Sequence, residues 1–123
     1  MLKIEEIKKR MERYNYSDSR ILSLNISNFS HEVKLVHEDD DGDVIYIFSR
    51  CYKVDFNHDL SCAKLEFLDY SNLERAQRPY FIHNIDITAI SVNDNEFYQT
   101  VIDAWPMTLT IISEDISVYK DRE

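Results

Sequence analysis

The sequence predicts a mainly β protein of the α+β class, in which an N-terminal helix packs on a curved antiparallel meander sheet or partly closed barrel. Three observations lead to this class. Apolar residues recur every three or four positions near the N-terminus, they alternate with polar residues through most of the remaining chain, and short polar turns separate the alternating runs. With 123 residues and 44% hydrophobic residues, we expect a single domain over residues 1–123.

The N-terminal periodicity predicts a helix over residues 2–14. Ile4, Ile7, Met11 and Tyr14 form one apolar stripe, and charged residues surround it. Charge interrupts this segment too often for a secretory signal or a membrane span. We therefore expect a cytoplasmic protein that does not associate with membranes.

The alternation predicts about seven to eight strands in a β body over residues 21–119. The alternating runs lie at residues 22–26, 33–37, 44–48, 52–56, 85–89, 97–101, 107–111 and 116–118. Because short turns join consecutive runs, the strands should be antiparallel neighbours in a meander.

Turn residues mark the boundaries between these runs. Residues 39–43 read Asp-Asp-Asp-Gly-Asp, and the only glycine of the chain follows an aspartate there, a residue pair that accepts positive φ in a tight hairpin. Residues 93–95, Asn-Asp-Asn, predict a second hairpin, and Pro106 predicts a bend because it cannot donate to a sheet ladder. Residues 59–79 lose the alternation, so we expect a crossover loop with one helical turn.

Net charge indicates the class of partner. The chain has 14 Lys and Arg against 23 Asp and Glu, a formal net charge of −9. Nucleic acids and anionic membranes would repel such a chain. The stretch from Pro79 to Tyr119 contains no Lys or Arg at all. This distribution favours a basic protein as partner.

The candidate partner-binding surface combines the acidic hairpin with tyrosines. Tyrosine is favoured at protein interfaces, and aromatic rings beside carboxylates can receive Lys and Arg side chains. The mutual repulsion of the carboxylates would be relieved by a basic partner. The predicted binding residues are Glu38, Asp39, Asp40, Asp41, Asp43, Tyr46, Tyr52 and Tyr98.

No motif predicts a cofactor, a metal site or nucleophilic catalysis. When Gly42 is placed at position six of an EF-hand loop, His37 and Phe48 fall where the loop needs an Asp and a bidentate Glu. No pair of histidines or cysteines has metal-ligand spacing, and we expect Cys51 and Cys62 to be packing residues with free thiols. The sequence therefore favours a protein that binds without chemistry and without a cofactor.

Two alternatives stay open at this stage. The triplet Asn57-His58-Asp59 is the most enzyme-like feature, because a histidine beside an aspartate can be oriented as a base, although adjacent residues on an extended chain point to opposite faces. A small enzyme centred on His58 is therefore one alternative. A sheet closed into a roomy barrel would instead make the protein a small-ligand carrier.

A resemblance to a known group of families adds to this interpretation. The junction Tyr16-Ser17-Asp18-Ser19 leads into a strand that begins Ile21-Leu22-Ser23-Leu24, in a short acidic chain with a long β-meander. This layout resembles the small immunity proteins of bacterial polymorphic-toxin systems, some of which have Tyr-His-Asp-Ser before the first strand; Ser17 stands in place of the histidine. The resemblance implies a non-enzymatic protein that neutralises a cognate toxin by binding it, and no site residue carries over.

Overall fold

The computed structural model of the chain describes residues 4–14, 16–59 and 80–121. These residues form one helix and six strands, and most of them lie in strands. The elements are α1 Ile4–Arg13, β1 Ile21–Ser27, β2 Glu32–Asp39, β3 Gly42–His58, β4 Asn84–Val92, β5 Asn95–Ala104 and β6 Met107–Asp121.

All six strands belong to one antiparallel sheet with the order β1-β2-β3-β6-β5-β4. Two three-stranded meanders therefore meet along the two longest strands, β3 and β6. This arrangement confirms the predicted antiparallel meander. Barrel closure is not confirmed, because the sheet is open and has β1 and β4 at its edges.

The predicted number of strands is wrong, because four predicted short strands form two long ones. Residues 44–48 and 52–56 both lie in β3, and residues 107–111 and 116–118 both lie in β6. The break in alternation between residues 48 and 52 reflects a β-bulge, with a register shift between Cys51 and Lys53, and not a turn.

The sheet bends where β3 and β6 break their alternation together. Along β3, Phe48 faces the core and the next residue to do so is Cys51; along β6, Ser113 is followed in the same way by Ile116. Phe48 pairs with Ile116, and Cys51 pairs with Ser113. Each strand turns two consecutive side chains away from the core here, and Arg50 has φ 52°. The two halves of the sheet thus enclose a single hydrophobic core. We call this bend the sheet corner.

Helix α1 packs on the same core, against β6 and β4. Ile7 and Met11 are buried, as the apolar stripe predicts, and each contributes about 2 kcal/mol through removal of its side chain from water. The guanidinium of Arg10 donates a hydrogen bond to the carbonyl of Val118 at 3.3 Å. The predicted helix is confirmed for its described residues.

The two edges of the sheet are tied together at one end by the segments that precede β1 and β4. The Asp18 N–H donates to the Ile82 carbonyl at 2.8 Å, the Ile82 N–H to the Ser19 carbonyl at 2.9 Å, and the Ile21 N–H to the Tyr80 carbonyl at 2.7 Å. These bonds hold the junction between α1 and β1 in a defined position beside the sheet.

Both predicted hairpins are present. The β2–β3 turn consists of Asp40 and Asp41, and Gly42 is the first residue of β3. The β4–β5 turn places Asn93 and Asp94 at φ 50° and 68°, as a tight hairpin of the right twist requires. Trp105 and Pro106 form the turn between β5 and β6. Apart from Asp59, the predicted crossover at 59–79 lies outside the described residues, as does Cys62.

Candidate interaction surfaces

The predicted carboxylates lie together at the β2–β3 hairpin, but the fold supplies cations to several of them. The ammonium of Lys120, near the end of β6, lies 2.9 Å from Asp39 Oδ2 and also contacts Asp41. Arg20 Nη1 lies 3.5 Å from Glu38 Oε1. The mutual repulsion expected from the sequence is therefore reduced within the protein itself. We call this set the acidic tip: Glu38, Asp39, Asp40, Asp41 and Asp43.

The Lys120 contacts favour the ionised form of Asp39. Burial alone would raise the pKa of Asp39, but hydrogen bonds from Lys120 and from the Asp40 N–H hold this pKa below its usual range. Asp41 and Asp39 in turn raise the pKa of Lys120. The ammonium thus fills the space between two carboxylates where a bound cation would otherwise lie.

Beside the acidic tip lies a polar cavity of ≈ 290 Å³. The junction between α1 and β1 forms one wall and the hairpin forms the other, and the Glu38 N–H joins them by donating to the Arg20 carbonyl at 2.9 Å. Its carboxylates and hydroxyls can accept hydrogen bonds from Lys or Arg side chains. We call this cavity the acidic groove; it is lined by Ser17, Asp18, Ser19, Glu38, Asp39 and Asp40.

The structure does not bring the predicted tyrosines together with the acidic tip. Tyr46 is completely buried, because it faces the core between Leu35 and Val118, so its assignment to a binding surface is wrong. Tyr98 is also buried. Tyr52 is 57% exposed but lies beyond the sheet corner.

A buried histidine lies directly beneath the acidic tip. His37 Nδ1 donates to the Glu38 carbonyl at 3.0 Å, so Nε2 is the nitrogen that accepts from the Tyr46 hydroxyl at 3.3 Å. Burial raises the pKa of Tyr46, which therefore remains a donor. Burial also lowers the pKa of His37, although Asp39 and Asp43 act against that shift. His37 thus has the role of a hydrogen-bonded sheet residue.

A second, larger cavity of ≈ 430 Å³ lies at the sheet corner. The rings of Tyr52 and Phe97 lie 5.3 Å apart in its wall. Arg50 bridges Glu114 and Asp115 across the two long strands, at 3.1 and 3.4 Å. We call this cavity the corner groove; it is lined by Asn28, His31, Glu32, Ser49, Arg50, Cys51, Tyr52, Phe97 and Glu114.

The β1–β2 turn next to the corner groove carries a residue that the sequence interpretation missed. Phe29 is completely exposed to solvent, with a relative exposure of 101%. Asn28, Phe29 and Ser30 have φ values of 53°, 56° and 70°, three successive left-handed residues without a glycine. The available signal was a lone aromatic residue inside a short polar segment that separates two alternating runs.

Within the described part of the chain, the contacts of His58 are with aromatic side chains. Its Nε2 lies 2.5 Å from the Tyr80 hydroxyl, and its ring stacks with that of Phe56 at 6.3 Å. The Asp59 N–H donates to the Pro106 carbonyl. Among the described residues, no carboxylate lines the ≈ 210 Å³ cavity beside His58, which is formed by Ile21, Ser23, Leu24, Phe56, His58, Tyr80 and Met107.

The carrier alternative needs a roomy interior, whereas large side chains fill the core formed by the described residues. Tyr46, Phe48, Ile102 and Leu109 are all buried there. Cys51 also packs against this core, as predicted, and its thiol donates to the Phe48 carbonyl at 3.4 Å.

Two further features concern residues 4–14, 16–59 and 80–121. Within these ranges, His, Cys, Asp and Glu form no group of three or more that could hold a metal ion. No helix there is long and apolar enough to cross a membrane.

A known protein family matches nearly the whole chain. The family model described as Immunity protein PIM7 matches residues 3–120. This range includes α1 and β1 to β5 completely and all of β6 except its last residue. No curated protein matches the chain.

Proposed function

The chain belongs to the Immunity protein PIM7 family, and we propose that it neutralises a basic toxin by binding it, without chemistry of its own. The observation that carries this proposal is the family match over residues 3–120. The proposal places this binding in the bacterial cytoplasm.

Charge supports a basic toxin as the partner. The chain has a net charge of −9, and the acidic tip and acidic groove concentrate carboxylates at one end of β2. Such a field accelerates the approach of a basic protein by about one to three decades over a neutral encounter. The acidic end therefore acts mainly on the rate of association.

The acidic groove is suited to receive Lys or Arg because its shape is set before the partner arrives. Lys120 fixes Asp39, and Arg20 contacts Glu38. Asp18 and Asp40 are exposed at the rim of the same cavity. Carboxylates that the fold already holds in position lose little side-chain entropy when they bind a cation.

The first test identifies a toxin domain encoded beside this chain's gene and measures binding to it. We expect co-expression to protect cells from that toxin, and we expect the purified proteins to associate more slowly as salt rises, with little change in dissociation. Absence of both protection and binding would show that the proposed function is wrong.

The second arm tests the acidic groove with a double variant, Asp18→Asn with Asp40→Asn. Asp18 and Asp40 are chosen because neither contacts Lys120. Neutralising Asp39 or Asp41, which do contact Lys120, would disturb the fold. The matched control is Asp86→Asn with Asp103→Asn, which removes two exposed charges from β4 and β5. The groove variant should associate several-fold more slowly than the control. Equal slowing of both variants would show that only net charge matters.

A further inference from the structure

The β1–β2 turn combines complete exposure with an unfavourable backbone. Of the large hydrophobic side chains on the described surface, Phe29 is the most exposed. A left-handed φ is unfavourable for residues with a Cβ, and most of all for bulky ones, yet Asn28, Phe29 and Ser30 adopt it in succession. Glycine would adopt it freely, but the single glycine of the chain is Gly42.

The surrounding structure holds this turn in place. The His31 N–H donates to the Asn28 carbonyl at 3.1 Å, and the Cys51 N–H donates to the His31 carbonyl at 3.0 Å. The second bond connects the turn to β3 at the sheet corner. Strained residues that the fold maintains in this way concentrate at functional sites. The stability of the protein gains nothing from the exposed ring of Phe29.

The corner groove extends the same surface. Asn28 and His31, on either side of the strained turn, line the groove together with the Tyr52 and Phe97 ring pair. An exposed aromatic residue next to an aromatic-walled cavity has the composition of a binding hot spot. The rim adds polar and charged groups, namely Glu32, Arg50 and Glu114.

We propose that Phe29 anchors the complex by inserting its ring into an apolar pocket of the basic toxin, while the corner groove covers the contact. This inference rests on the proposed function and assigns a second, separate part of the same interface. The acidic tip and the Phe29 turn lie at opposite ends of the eight-residue strand β2, about 25 Å apart at the usual rise per residue.

Charge favours the toxin over a second copy of this chain as the occupant. Two copies would each carry a net charge of −9, which opposes their association. The groove lining has two carboxylates, Glu32 and Glu114, against one guanidinium, that of Arg50, which pairs with Glu114, so Glu32 is the lining charge that favours a basic partner. Burial of Phe29 by the toxin would also remove the most exposed apolar side chain from water.

The experiment compares Phe29→Ala with Phe56→Ala in binding to the purified toxin domain encoded beside this chain's gene. Phe56 is the matched control, because it is a 45% exposed phenylalanine on the far arm of β3. We expect Phe29→Ala to weaken binding by about 30-fold or more, through faster dissociation, as at hot spots. Phe56→Ala should bind like the unaltered protein.

A loss below tenfold for Phe29→Ala, or an equal loss for Phe56→Ala, overturns the inference and leaves the proposed function intact. Failure of the unaltered protein to bind overturns the proposed function instead. A dimer that Phe29→Ala converts to a monomer assigns the ring to self-association and also overturns the inference.

A partner-free measurement separates anchoring from folding. Phe29→Gly removes the ring and suits the left-handed backbone, so this variant should melt no lower than the unaltered protein. A lower melting temperature would show that the ring has a structural role and would overturn the inference.

Discussion

The two ends of β2 present opposite kinds of surface. At the acidic tip, Lys120 and Arg20 neutralise part of the charge, and the remaining carboxylates lie on a well-packed core. At the other end, Phe29 is completely exposed and its backbone is strained. The fold therefore pairs part of the negative charge at the acidic tip with cations. At the other end it leaves the apolar ring of Phe29 exposed to solvent.

This difference separates two contributions to the proposed binding. Charge acts over distances near the Debye length, about 8–10 Å at physiological salt, and so changes association rates. A ring that fits a pocket acts only in contact, and so changes dissociation rates. The charged end was the easier one to recognise in the sequence, whereas the apolar end has the stronger features of an anchor.

The largest expected difference is in stability, between variants of two tyrosines that the sequence analysis assigned to one binding surface. Tyr46→Ala should lower the free energy of unfolding by about 3–5 kcal/mol, because it empties a fully buried aromatic site beneath the acidic tip. Tyr52→Ala, at the corner groove, should lower it by less than about 1 kcal/mol. Chemical denaturation of both variants measures this difference.

The comparison breaks if the two variants lose similar stability. In that case the rings at the corner groove would be structural, and their exposure would carry no information about binding. Measuring toxin binding by Tyr52→Ala adds a second result. If this variant is stable but binds the toxin more weakly, Tyr52 lies in the interface.

Local chemistry made much of the fold predictable from the sequence. The 3.6-residue stripe of Ile7 and Met11 predicted α1, and turn propensity predicted both hairpins, although the first turn consists of Asp40-Asp41 and not of the expected Asp41-Gly42 pair. Strand number was not predictable in the same way. A β-bulge that contains a left-handed Arg50 interrupts the alternation of apolar and polar residues much as a turn does. No residue type at this position identifies a bulge in the sequence.

The sites required information that only tertiary structure contains. Alternation shows which residues share a face but not which face is covered, and Tyr46 and Tyr52 therefore looked equivalent. Lys120 reaches Asp39 across 81 positions of sequence, so the compensation at the acidic tip had no local signal. The strain at Phe29 was also invisible, because neither Phe29 nor Ser30 is a residue type that favours a left-handed backbone.

A second prediction concerns pH and tests how closely the acidic tip is coupled to the core. His37 has a lowered pKa in the folded state, so the unfolded state binds more protons once the pH falls below about 6.5. Stability should therefore decrease as the pH falls through that range. In His37→Gln the decrease should be smaller, whereas His83→Gln, which changes an exposed histidine, should keep the original dependence.

Melting temperatures between pH 7.5 and pH 5 measure this effect, and only the slopes are compared, since His37→Gln also changes packing. Identical slopes in all three proteins would mean that burial of His37 does not contribute to the pH dependence of stability.

The smallest expected effect separates backbone strain from charge at the sheet corner. The side chain of Arg50 is 75% exposed, so its ion pairs with Glu114 and Asp115 should contribute at most about 1 kcal/mol. Arg50→Ala removes those pairs but keeps a Cβ at φ 52°, whereas Arg50→Gly removes both. The glycine variant should be the more stable of the two by about 0.5–1 kcal/mol, because relief of the left-handed backbone exceeds the added freedom of the unfolded chain.

At Asp55, an exposed position on the same strand, the order should reverse, with glycine less stable than alanine. If the glycine variant is the weaker one at both positions, the left-handed backbone at Arg50 is not strained, and strain at this end of the molecule would be confined to the Phe29 turn.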